Sequence, residues 1–131
     1  MQQSAFDPLR FLNLTDELAT DDADEAALRV AIGRAYYAVF LLARMQTSVE
    51  GRHQAHHRVR QELSPRSGRL AALLGTMSSY LDLADYDLQP ANRQLRDWQR
   101  NWRNVRKNAT EVLEELSRLP NLTTYETDER A

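Results

Sequence analysis

Apolar positions recur every three or four residues along most of the chain, and no segment alternates apolar and polar residues as a half-buried strand does. This spacing predicts helices over five stretches. They cover residues about 8–19, 26–48, 53–63, 66–87 and 91–118, bounded by capping and breaking residues. We therefore predict an all-α fold, an antiparallel bundle of four to five helices.

Two acidic segments predict where the first two helices begin. Asp7 and Pro8 are typical of a helix start, with Asp as the N-cap and Pro as the first helical residue. Asp22 and Glu25 have the spacing of a capping box, and their negative charges suit the positive end of a helix dipole. We expect the long central helix to begin there.

Length and composition act mainly by exclusion. The chain has 131 residues and no Cys, which excludes a disulfide framework, thiolate catalysis and Cys-rich zinc sites. We expect one helical domain over residues 1–120, followed by a polar tail over residues 121–131. The N-terminal segment has neither a basic nor an apolar signal region, and no apolar run reaches about 18 residues. We expect a cytoplasmic protein with no membrane contact.

The last predicted helix carries an apolar seam with unbroken steps of three and four. Its members are Leu95, Trp98, Trp102, Val105, Ala109, Val112, Leu116 and Leu119. The two tryptophans are expected to serve in core or dimer packing rather than in base stacking. Because the seam is longer than one partner helix needs, we predict that part of it faces a second subunit in a symmetric homodimer.

Basic side chains follow the same helix in a parallel ridge. The ridge contains Arg93, Arg96, Arg100, Arg103 and Lys107, with Arg106 nearby. Residues 26–110 hold fourteen bases against six acids, a balance of +8, whereas both ends of the chain are acidic. A row of guanidinium groups suits a phosphate backbone, and a solvated face or pairing with the acidic ends is the alternative.

Three sequence pieces occur in an order that resembles the small stand-alone HEPN proteins. They are Arg34-Ala-Tyr36-Tyr37-Ala-Val-Phe40, His56-x-x-Val59-Arg60 and Ala84-Asp85-Tyr86-Asp87. The resemblance implies a HEPN-like bundle, dimerisation, and RNA or nucleotide binding. Many such relatives are metal-independent ribonucleases, often toxins held in check by a nucleotidyltransferase partner. With the basic ridge, the candidate binding residues are Arg34, Tyr37, Asp85, Tyr86, Arg96, Arg100 and Arg103.

The adjacent motif tyrosines point about 100° apart on a helix, so they cannot face the same neighbour. We expect one of them to be buried, with its hydroxyl bonded to Asp85 or His56. Arg34 is placed to pair with Asp85. A buried polar network that fixes helix packing is as good an interpretation of these residues as a ligand site.

Histidine supplies the only general acid or base candidates near neutral pH that this sequence suggests. His53, His56 and His57 stand among Arg52, Arg58 and Arg60. Positive neighbours lower a histidine pKa, and the combination suits RNA cleavage through the 2′-hydroxyl. The candidate catalytic residues are His56, His57 and Arg103; we expect no metal and no cofactor.

One motif of the ribonuclease branch is incomplete in this chain. In that branch a histidine follows Arg-Asn in a late helix, whereas Arg103-Asn104 is followed by none. The alternative hypothesis is therefore a non-enzymatic helical module that docks a partner protein, for example a nucleotidyltransferase.

Overall fold

The computed structural model describes residues 6–119, which form five α-helices and one short 3₁₀ turn, with no strand in that range. The helices are α1 (Leu9–Leu18), α2 (Glu25–Arg44), α3 (Ala55–Leu63), α4 (Gly68–Tyr86) and α5 (Trp98–Arg118), with the 3₁₀ turn at Arg93–Arg96. The prediction of an all-α bundle is confirmed. The predicted tail over residues 121–131 lies outside the described part of the chain.

Helix α2 is the centre of the bundle and packs against all four other α-helices. Ala31, Ala35 and Ala38 are fully buried along it, so their small side chains let neighbouring helices approach closely. Gly33 permits the closest approach, because a Cβ there would lie 3.3 Å from Cδ1 of Leu81 on α4. By length and composition alone α2 could span a membrane, but half of its apolar window is buried within the bundle, as in a core helix.

The predicted capping box at the start of α2 is wrong. Asp24 is the N-cap, in extended conformation, and its carboxylate accepts a 2.9 Å hydrogen bond from the Ala27 amide. Asp22 lies outside the helix because Asp24 reaches the first helical turn directly. At α1 the prediction is displaced by one residue: Pro8 is the N-cap and the helix begins at Leu9, although the Asp7 carboxylate accepts a 3.0 Å hydrogen bond from the Leu9 amide.

Helix α2 also ends earlier than the sequence predicts, at Arg44 rather than near Ser48. The Arg44 guanidinium donates to the backbone oxygens of Val49 and Gly51, 3.3 and 2.9 Å away. These bonds hold the α2–α3 loop against the end of the helix, which a further helical turn would prevent.

The predicted start of the last helix, near residue 91, is also wrong, because α5 begins at Trp98. Arg93–Arg96 form a separate 3₁₀ turn, and Asp97 is extended, with its carboxylate capping α5 through the Arg100 amide at 3.0 Å. The buried Asn101 amide donates to the Leu95 carbonyl at 2.8 Å, which ties the turn to α5. The basic ridge is therefore divided at Asp97.

The apolar seam of α5 is buried inside the subunit. Trp98 and Trp102 are only 5% and 6% exposed, and the positions Val105, Ala109 and Val112 are fully buried against α2 and α4. The expectation that the tryptophans pack in the core is confirmed. Because these central seam positions are already covered, they provide no surface for a second subunit. The homodimer stays a prediction that the apolar seam no longer supports.

Candidate functional site

A polar and aromatic cluster joins α2 and α3. The hydroxyl of Tyr36, a residue only 1% exposed, lies 2.6 Å from Nδ1 of His56, and the two rings stack 5.5 Å apart. The Phe40 ring also stacks on the imidazole, with centroids 4.1 Å apart, and the Tyr37 ring meets it edge-on at 6.0 Å. The prediction that one motif tyrosine is buried and bonded is confirmed, with His56 rather than Asp85 as its partner.

Burial sets the protonation states in this cluster. It raises the pKa of Tyr36 to about 12, although the nearby Arg60 charge and a hydrogen bond from Ser78 oppose the shift. Burial also lowers the pKa of His56, and Arg60 lowers it further. At neutral pH the phenol is therefore protonated and the imidazole is neutral, and the tautomer of His56 decides which of the two groups donates in the hydrogen bond between them.

Arg60 is the charged member of the cluster and lies one helical turn after His56 on α3. Its Nη1 atom is sealed from solvent and has no hydrogen-bond partner in the described part of the chain. Its stem packs across α4, with Cδ 3.9 Å from the position of a Cβ on Gly75. Asp82 of α4 is near enough to act on the pKa of both Tyr36 and His56.

Three of the four motif residues predicted to bind a ligand line one small pocket between α2 and α4. Arg34, Tyr37 and Asp85 surround a volume of about 160 Å³, and Gly33 forms part of its wall. The expected Arg34–Asp85 ion pair is not formed, because the Arg34 guanidinium lies over the Phe11 ring, 5.6 Å from its centroid. The fourth motif residue, Tyr86, is 81% exposed at the end of α4 and does not line this pocket.

The basic ridge is partly preserved on α5. We call Arg100, Arg103 and Lys107 the basic face; all three are exposed, on the side of α5 opposite the buried seam. None of them makes an ion pair with another residue between 6 and 119.

Two other basic residues of this region, Arg96 and Arg106, are engaged within the bundle. Arg106 pairs with Asp16 at 2.8 Å, which joins α5 to α1. Arg96 donates to the Pro90 carbonyl at 2.7 Å and lies in the separate 3₁₀ turn. Arg96 is therefore not continuous with the basic face.

The three candidate catalytic residues are not brought together in one subunit. His56 and the exposed His57 lie on α3, which packs against α4 and α2 and makes no contact with α5, the helix that carries Arg103. The sequence interpretation did not assign a site role to Arg60 or Asp82. The spacing of four residues between His56 and Arg60 could have indicated that Arg60 lies beside His56. Asp82 is brought near them only by the packing of α4.

No group of three His, Asp or Glu side chains is close enough to hold a metal ion within residues 6–119. Comparison of the chain with protein-family models, curated proteins and solved structures finds no match. Side-chain geometry and the HEPN-like sequence pieces therefore carry the functional inference.

Proposed function

We propose that this chain is a HEPN-like RNA-binding protein that holds a phosphate backbone on the basic face of α5. The observation that supports the proposal is that all three cations of this face are exposed and lack a carboxylate partner among the described residues. Arg106, on the same helix, is by contrast held by Asp16. Unpaired cations on a rigid helix are available to phosphate oxygens without first breaking an ion pair.

The spacing of the basic face suits a single strand. Arg100 and Arg103 are separated by about 4.5 Å along the helix axis, and Arg103 and Lys107 by about 6 Å. Flexible Arg and Lys side chains make up the difference between these spacings along the helix and the spacing of successive phosphates in a strand. Guanidinium forks bind phosphate oxygens bidentately, so the two arginines supply most of the directed contacts.

Fluorescence anisotropy with a labelled single-stranded RNA tests this proposal. The double variant Arg100→Gln/Arg103→Gln removes two charges from the basic face, and Arg10→Gln/Arg52→Gln removes two exposed charges elsewhere. We expect about tenfold or greater weakening for the first variant and little change for the second. Equal weakening in both variants would show that only net charge matters and would contradict the proposed face. A wild type that binds no RNA would refute the proposal.

A non-enzymatic partner-binding module is the second candidate function. It is favoured because α3, which carries His56 and His57, makes no contact with α5, which carries Arg103. RNA cleavage by His56 or His57 with Arg103, as in a toxin, would require a homodimer that brings α3 of one subunit to α5 of its partner.

Expression in a bacterial host distinguishes cleavage from docking. Growth arrest that is lost in His56→Ala or His57→Ala would support a metal-independent ribonuclease. Harmless expression of the wild type, together with a stable co-purifying nucleotidyltransferase, would support the docking module.

A further inference from the structure

The outer face of α5 changes charge along its length. Arg103 and Lys107 of the basic face lie about one helical turn apart, and Glu114 continues the same side two turns further on. All three side chains are exposed and make no ion pair with another residue between 6 and 119. A chain segment that lies along this face therefore needs negative charge beside the two cations and none beside Glu114.

The polar tail carries its charges in the matching order. Residues 120–125 have no charged side chain, and the acidic residues Glu126, Asp128 and Glu129 come after them. Alternate residues of an extended chain share one side, so Glu126 and Asp128 belong together, about 6.6 Å apart. The axial rise from Arg103 to Lys107 is about 6 Å, so the two spacings agree.

The end of α5 permits the chain to turn back. The helix ends at Arg118, Leu119 is extended with φ −77° and ψ 141°, and Pro120 has no amide hydrogen with which to continue the helix. Lys107 lies about 16.5 Å before the end of the helix, and Arg103 lies about 22.5 Å before it.

The length of the tail covers both distances. After a reversal at Pro120 and Asn121, an extended run from Leu122 reaches about 16.5 Å at Glu126 and about 23 Å at Asp128. These are the distances of the two cations from the end of the helix. The uncharged residues of the tail pass the acidic part of the face on the way.

We propose that the polar tail folds back along α5 and covers the basic face, with Glu126 on Lys107 and Asp128 on Arg103. Exposed ion pairs are individually weak, so the contact is reversible and a polyanion displaces it. The tail thereby competes with RNA for the same cations. The effect on RNA affinity rests on the proposed function, whereas the contact itself does not.

The last charged residue of the tail agrees with this register. Arg130 belongs to the same side as the two paired carboxylates and reaches about 30 Å along the helix. The exposed Asp97 lies about 31.5 Å from the end of α5, so its carboxylate meets this guanidinium. Arg100 has no acidic partner in the register and stays open to other anions.

Carbodiimide cross-linking tests the contact without RNA, because Lys107 is the only lysine of the chain. The reagent joins a carboxylate to an amine that it already touches, and peptide mapping by mass spectrometry identifies the pair. We expect a cross-link from Lys107 to the tail, chiefly at Glu126, and its loss at high salt. Glu126→Gln/Asp128→Asn should abolish it, whereas Glu129→Gln should retain it.

Three results of this experiment would overturn the proposal. Cross-links of Lys107 confined to Glu111 or Glu114 of its own helix would place the tail elsewhere. An undiminished cross-link between Lys107 and the tail in the double variant would exclude the proposed pairs. A tail cross-link that joins ¹⁴N-labelled to ¹⁵N-labelled chains in a mixture would assign the face to the tail of a second copy.

Fluorescence anisotropy with single-stranded RNA tests the competition. We expect Glu126→Gln/Asp128→Asn to tighten binding about threefold at low salt, because the two weak pairs no longer have to be displaced. Asp21→Asn/Asp22→Asn removes the same charge from exposed side chains outside the tail and should leave the affinity unchanged. Equal tightening in both variants would contradict the competition.

The two experiments separate the tail contact from the proposed function. The Lys107 cross-link to the tail in a protein that binds no RNA would support the contact and refute the proposed function. RNA binding by the basic face without that cross-link would support the proposed function and overturn the contact.

Discussion

Removal of the Tyr36 hydroxyl measures the bond that organises the α2–α3 cluster. The 2.6 Å hydrogen bond joins the buried Tyr36 to the partly buried His56, and its loss in Tyr36→Phe leaves Nδ1 of His56 without a partner. A net hydrogen bond contributes about 0.5–1.5 kcal/mol, and an unpaired buried acceptor costs about 1–3 kcal/mol. Because His56 is only partly buried, we expect Tyr36→Phe to lower the free energy of unfolding by about 1–2 kcal/mol.

Urea unfolding followed by circular dichroism provides the assay, in a double-mutant cycle with His56→Ala. His56→Ala removes the stacking on Phe40 whether residue 36 is Tyr or Phe, so that contribution cancels in the cycle. We therefore expect a coupling energy of about 1 kcal/mol between Tyr36 and His56. Tyr37→Phe is the matched control, since no hydrogen bond joins that hydroxyl to a described residue. Additivity within about 0.3 kcal/mol would refute the role assigned to the bond.

The protein should lose stability on acidification because the pKa of His56 is lowered in the folded state. As the pH falls below 6.5, the imidazole takes up a proton more readily in the unfolded chain than in the folded one. His56→Gln should therefore flatten that part of a curve of stability against pH. Gly75→Ala should raise the free energy of unfolding by up to about 1 kcal/mol, since the nearest atom to the new Cβ would be 3.9 Å away. Gly33→Ala should give no such gain, because Cδ1 of Leu81 would lie only 3.3 Å from its Cβ. Chemical denaturation compares the two variants. Trp102→Ala should cost about 3–5 kcal/mol by the same measurement, and a loss below about 1 kcal/mol would contradict its burial in the subunit.

Helix positions could be predicted from the sequence because apolar spacing and caps are local properties. The errors occurred where two local signals competed. The apolar period continues through Leu95 and Trp98, yet Asp97 between them caps α5 and interrupts the helix. At α2, several acidic residues could serve as the cap, and only the path of the chain selects Asp24.

The site was predictable only in part, since its members come from three helices. The sequence motifs indicated Tyr36 and His56, and their bond follows from one helix packing on another. The α5 seam is compatible with either a core or a dimer until the positions of α2 and α4 are known. The burial of Nη1 of Arg60 without a hydrogen-bond partner among the described residues follows from the packing of α3 on α4, which no spacing in the sequence encodes.

The salt dependence of RNA binding tests the central claim most directly. Three phosphate contacts from Arg100, Arg103 and Lys107 predict a slope of about −2 for log K against log salt concentration with single-stranded RNA. Arg100→Gln/Arg103→Gln should reduce the magnitude of that slope by about 1.4, while Arg10→Gln/Arg52→Gln should leave it unchanged. A wild-type slope near zero, or a slope that the basic-face variant does not alter, would contradict binding of RNA by α5.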